Sequence, residues 1–168
     1  PALRMNSAGW SGFSSVSCWV NVLDHAARRG SLRREHSMKV YLSVDMEGVA
    51  AVASREEVTA GNPEYVAAQA RMTNETRAAV DGAFTAGASE VYVKDAHWTG
   101  RNIDPAALEA PEGRSLRLIR GWSGHPFSMV QELDASFAAV AFIGYHSAAG
   151  RAGNLLSHTL SGRLLAKV

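Results

Sequence analysis

Five side chains able to hold a metal ion stand at the ends of short apolar runs: Asp45 and Glu47, Asp95 and His97, and His146. Residues two apart in an extended segment point the same way, so Asp45 and Glu47 can reach one site together. The same spacing puts Asp95 and His97 on one side. Carboxylates and imidazoles make a borderline-hard donor set suited to Zn²⁺, or to Mn²⁺ or Co²⁺ in its place. A carboxylate such as Asp45 can bridge two ions, the arrangement by which two-metal hydrolases activate water and polarise a carbonyl. Asp95 is better read as the acceptor that orients His97 than as a direct ligand. Gly48 lets the backbone turn sharply just after Glu47.

Taken singly, each residue has a plainer reading. An Asp after a strand is a turn former, a His there is a hydrogen-bonded loop residue, and Glu47 is a solvated charge. Their agreement at several strand ends favours the metal reading, and residue types and spacing alone stop at a metal-dependent hydrolase. His158 lies past a loop containing Gly150 and Gly153. It is open between a catalytic role, as base, nucleophile or donor to an oxyanion, and a structural one. His125 reads as a surface loop residue, and Trp98 and Trp122 as pocket wall or core.

The elements that must position these residues are legible from residue 38 onward. Residues 39–44 form a β-branched and aromatic run, a buried strand that stops at Asp45. Asn62, Pro63 and Glu64 suit a helix start, and Tyr65, Ala68, Met72, Thr76, Ala79 and Ala83 then recur on one face. Gly87 suits the helix end. Residues 90–94 read as a second strand, which closes a strand–helix–strand unit and so requires parallel pairing. A third strand is expected at 116–119, a short helix at 126–133, and a central strand buried on both faces at 138–145. The predicted fold class is α/β, a layered fold with a mostly parallel sheet flanked by helices. Ligands of such sheets bind beyond the carboxyl ends of the strands.

The 168-residue chain is long enough for one domain with a real core. Its formal charge of +1 offers no argument for a nucleic-acid or membrane partner. The single cysteine, Cys18, excludes an internal disulfide and a cysteine zinc cluster, and favours a reducing, cytoplasmic setting. Residues 1–37 lack strand or helix period. A secretory signal fits them poorly, because Ser14, Ser15, Ser17 and Asn21 interrupt the apolar stretch. They are expected to be a disordered or non-native extension, which leaves 38–168 as the folded unit. The chain ends within an apolar segment, so it is expected to be truncated at its C-terminus.

Ser43-Val44-Asp45-Met46-Glu47-Gly48 resembles the opening signature of the zinc-dependent D-aminopeptidase family. Later blocks of that family match in the same order, in 93–97, 126–130, 144–146 and at Ser157-His158. The resemblance covers Met38 to about Leu160, the N-terminal portion of the family's domain. It implies a metallo-aminopeptidase that releases N-terminal D-amino acids, typically D-alanine, from short peptides with two Zn²⁺ per subunit. By resemblance Asp45 bridges the two metals, Glu47 and His97 complete one site, His146 serves the other, and His158 is the catalytic histidine. The resemblance also implies a ring-like homo-oligomer of decamer type whose active sites face an internal chamber. Family members take a further glutamate ligand from a later segment, whereas no Glu follows Glu132 here. Two alternatives therefore stand beside the peptidase: a catalytically incompetent fragment of the family, and another two-metal hydrolase such as a phosphoesterase or amidase.

Overall fold

The computed structural model describes the backbone of residues 20–22 and the whole of residues 38–159. Its strands are β1 (Val20–Val22), β2 (Lys39–Val44), β3 (Glu90–Asp95), β4 (Ser115–Ile119) and β5 (Ala139–Ile143), with one long helix, α1 (Tyr65–Thr85). They form one sheet in the order β1-β5-β2-β3-β4. β2 pairs in parallel with β3 and with β5, and β3 with β4, while β1 adds an antiparallel edge to β5. The α/β class and the parallel sheet expected of the sequence are therefore present. β1 falls within the stretch set aside as an extension, the rest of which lies outside the described residues. Among the described residues no helix is long and apolar enough to cross a membrane.

Alternation of side chains sorts the sheet into two faces. On one, Leu42, Val44, Val91 and Val93 pack against Tyr65, Ala68, Met72, Val80 and Phe84 of α1 in the main core. On the other, Tyr41, Tyr92 and Ile119 pack with Phe137. Phe137 stands edge-on to Tyr41 at 5.2 Å and to Tyr92 at 5.0 Å, a geometry that adds about 0.5–1.5 kcal/mol per pair beyond burial.

Three local expectations differ from what is found. The residue preceding α1 is Glu64 rather than Asn62, and no side chain caps the helix. Asn62 instead accepts the Tyr65 N–H with its backbone carbonyl and turns its side chain back to Thr59. The helix expected over 126–133 is only a 3-10 turn, Ser128–Val130, since the segment is pinned by individual bonds to β2 rather than by its own ladder. β5 is central but half-buried, with Phe142 43% exposed, because α1 covers the neighbouring β2 and β3 most fully. Gly87, at φ 101°, ends α1 as expected.

The loops leaving β2 and β5 touch backbone to backbone. Asp45 N–H donates to Ile143 O at 2.9 Å, and Gly48 N–H donates to Gly144 O at 2.7 Å. A Cβ on Gly48 would collide with the Tyr145 carbonyl, and one on Gly144 with that of Asp45. Gly144 also has φ 65°, a conformation that side chains disfavour. Gly48→Ala is therefore expected to lower unfolding free energy by about 1–3 kcal/mol, read as a lower urea midpoint. Gly82→Ala, within α1 where a Cβ meets nothing within 4 Å, is expected to raise it by about 0.5–1 kcal/mol. Equal effects at the two sites would contradict the close-approach argument.

Candidate metal centre

Parallel strands β2, β3 and β5 all end at the same edge of the sheet, and the residues just beyond them meet there. Asp45 is 2% exposed and His97 is 3% exposed, with Glu47 only partly accessible. His97 Nδ1 lies 3.2 Å from Asp45 Oδ1 and 3.0 Å from Glu47 Oε2. One donor atom from each of the three falls within 4.8 Å of the others. On the far side of Asp45, His146 Nε2 lies 3.5 Å from Oδ2. The two oxygens of Asp45 thus face different histidines.

Each histidine is held by its other ring nitrogen against a backbone carbonyl. His97 Nε2 meets Val58 O at 3.0 Å, His146 Nδ1 meets Ser147 O at 2.9 Å, and His158 Nδ1 meets Leu156 O at 2.8 Å. A carbonyl can only accept, so those nitrogens carry the protons. In the neutral imidazoles this leaves His97 Nδ1, His146 Nε2 and His158 Nε2 with lone pairs. For His97 and His146 that lone pair faces a carboxylate oxygen, an arrangement that calls for a cation between them. This is how metal-binding histidines are oriented, and the residues present fit a divalent ion.

Electrostatics agree. Burial lowers the His97 pKa, but hydrogen bonds and charge from Asp45 and Glu47 outweigh it and raise it to about 10. Burial pushes Glu47 up, yet bonding to and the charge of His97 bring it down to about 2. Burial, with the Glu47 charge, raises Asp45 despite its bond to His97. The three groups behave as a buried cation site in which a proton on His97 does the neutralising.

Asp95 is placed differently from its expected role. It is fully buried, and its oxygens take the backbone N–H groups of Asn102 and Ile103 and the Asn102 amide, not the His97 ring. β3 ends at Asp95 and the chain turns at once, with Gly100 N–H donating to His97 O at 2.7 Å, so the two-residue spacing no longer puts both on one side. The acceptor behind His97 is Val58 O, a backbone atom no side-chain pattern announces. His158 stacks on His146, with ring centroids 3.6 Å apart and planes 19° from parallel, which brings it beside the centre. Ser43 donates to Met129 O at 2.6 Å and meets the Tyr145 hydroxyl at 2.6 Å, which ties the 126–130 block to the strands bearing Asp45 and His146. Trp122 donates to Trp98 O at 2.8 Å, and its ring lies 4.2 Å over Lys94 Nζ, so it braces the His97 turn from outside.

A parallel α/β sheet with carboxylates and imidazoles converging at its strand ends has the donor set and placement that a metal-dependent hydrolase requires. The chain belongs to the D-aminopeptidase family, a peptidase family whose model matches residues 38–168. It is 37% identical over 123 residues to a D-aminopeptidase of Bacillus subtilis (strain 168), an alignment covering 73% of this chain and 43% of that protein. It is also similar to a solved structure described as the Zn-dependent D-aminopeptidase DppA from Bacillus subtilis, a self-compartmentalizing protease. The TM-score is 0.67 at 36% identity, over 74% of this chain and 43% of that one. The chain spans less than half the length of these relatives.

The charge balance makes a test. A metal entering at neutral pH must displace the His97 proton, while Glu47 is already ionised. Zinc affinity is therefore expected to rise about tenfold per pH unit from about pH 6 to 8, measured by competition with a coloured chelator. A flat profile would contradict the assignment of His97 as a ligand.

Proposed function

We propose that the chain supplies the metal centre of a zinc aminopeptidase that releases N-terminal D-amino acids, D-alanine among them, from short peptides. The observation that carries the metal arrangement is Asp45, one oxygen toward His97 and the other toward His146. In this reading Asp45, Glu47 and His97 would hold one zinc ion, and the second oxygen of Asp45 with His146 would serve another. Substrate chirality is supported by membership of the family and by the two relatives. The self-compartmentalizing relative supports self-association into a homo-oligomer, for which we propose a ring of decamer type.

Zinc held by these residues would supply Lewis acidity, acidifying a water and polarising the scissile carbonyl. The chain's own part is to hold and to move protons. Val58 O and Ser147 O fix the tautomers of His97 and His146, so their free nitrogens stay aimed at Asp45. His158 gives its Nδ1 proton to Leu156 O, which leaves Nε2 as an acceptor beside the centre. From there it takes a proton from the attacking water and returns it to the leaving amine.

Hydrolysis of D-alanyl-D-alanine that is lost on chelation and restored by zinc is the expected outcome. Release of L-residues alone by the zinc-loaded protein would contradict the proposal. His158→Ala is expected to lower kcat by about 10²–10⁴-fold with zinc content unchanged. Loss of zinc in that variant would instead make His158 a ligand. Asp45→Ala is expected to lose all bound zinc, measured by plasma mass spectrometry, because a bridging carboxylate serves both ions.

A further inference from the structure

Behind the metal centre lies a buried polar cluster that binds no part of the reaction described above. Asn102 is 5% exposed, yet every polar group of its side chain is satisfied. Its Nδ2 donates to Asp95 Oδ1 at 2.9 Å and to His97 O at 2.6 Å. Its Oδ1 accepts the hydroxyl proton of Tyr65, the first residue of α1. Burial, and then the charges of Asp95 and Glu47, push Tyr65 up to about 12, so this phenol remains a donor at neutral pH. The donor settles which amide atom is oxygen.

No other side chain of this size meets these demands. Aspartate would set acceptor oxygens against Asp95 and the His97 carbonyl. Leucine would strand Tyr65, Asp95 and that carbonyl without partners, which is costly in a buried place. The effect reaches the ligand because His97 stands on a turn rather than in a strand. Its carbonyl is held by the Asn102 amide and by Gly100 N–H, and its ring by Val58 O, with the Tyr65 ring 6.2 Å away.

We propose that Asn102 is the positioning residue for His97, fixing that ligand's backbone to the start of α1 through Tyr65. Two contacts on one carbonyl fix the His97 peptide plane, and the peptide plane sets where the imidazole can point. The first turn of α1 thereby becomes part of the metal centre's geometry without touching the ion. Thr73, about two turns further along α1, offers a matched contrast. Its hydroxyl accepts the N–H of Asp104 at 3.1 Å, bracing the same loop without reaching His97.

This inference rests on the metal reading of Asp45, Glu47 and His97, and the test separates the two. Zinc affinity would be measured by chelator competition on the full chain and on Asn102→Ala, Tyr65→Phe and Thr73→Ala, each checked for folding by circular dichroism. Cobalt substitution would report ligand geometry through its visible absorption. Asn102→Ala and Tyr65→Phe are expected to weaken zinc by about 10–100-fold and to shift the cobalt spectrum. Thr73→Ala is expected to lower Tm with zinc affinity and spectrum unchanged. If Asn102→Ala does not fold, Tyr65→Phe decides the matter by itself. Wild-type affinity in the folded variants, or equal weakening in Thr73→Ala, would overturn the positioning role. A wild-type chain that bound no zinc would overturn the metal reading and this inference together.

Discussion

Two carboxylates brought into one buried corner need a cation, and much of the architecture around the strand ends follows from that need. Asp45 and Glu47 each offer an oxygen within 4.8 Å of the other. At an effective dielectric of about 20 their repulsion is roughly 3–4 kcal/mol, before either group's desolvation is counted. A substantial fraction of a typical domain's net stability would be lost if nothing compensated. His97 compensates by keeping a proton to about pH 10, and a divalent ion can take that proton's place. The site is therefore a buried cluster of charge in which a divalent ion would take over the role of that proton.

The sheet makes such a corner possible. Because β2, β3 and β5 run in parallel, three loops leave the same edge, each carrying a candidate ligand. Convergence still requires the loops after β2 and β5 to approach within backbone contact, which Gly48 and Gly144 permit. The covering helix adds more than burial. Its first residue, Tyr65, is 7% exposed, packs in the main core and donates to Asn102, so core packing and ligand placement share a residue.

Much of this was legible in the sequence, and the gaps have physical causes. Strands β2 and β3 and the buried face of α1 follow from apolar periodicity, which burial on a sheet enforces. The convergence of Asp45, Glu47, His97 and His146 was legible because each follows a strand whose end is marked by composition. Asp95 was misplaced because the two-residue rule holds only while the chain stays extended, and the chain turns at His97. Val58 could not be read at all, since it contributes a carbonyl that every residue owns. Asn102 sits in a loop without period, and its value comes from three partners, Tyr65, Asp95 and His97, scattered along the chain. The helix expected at 126–133 failed for a related reason: Ser43 and Tyr41 bond its carbonyls from outside and replace a helical ladder.

The central claim is that Asp45, Glu47 and His97 hold a zinc ion, with His146 reached through the second oxygen of Asp45. Anomalous X-ray scattering recorded on either side of the zinc edge, from crystals grown with zinc, tests it most directly. The account predicts a strong peak bounded by Asp45, Glu47 and His97. Crystals containing zinc that scattered only from surface positions, with that corner empty and His97 hydrogen-bonded to both carboxylates, would contradict it.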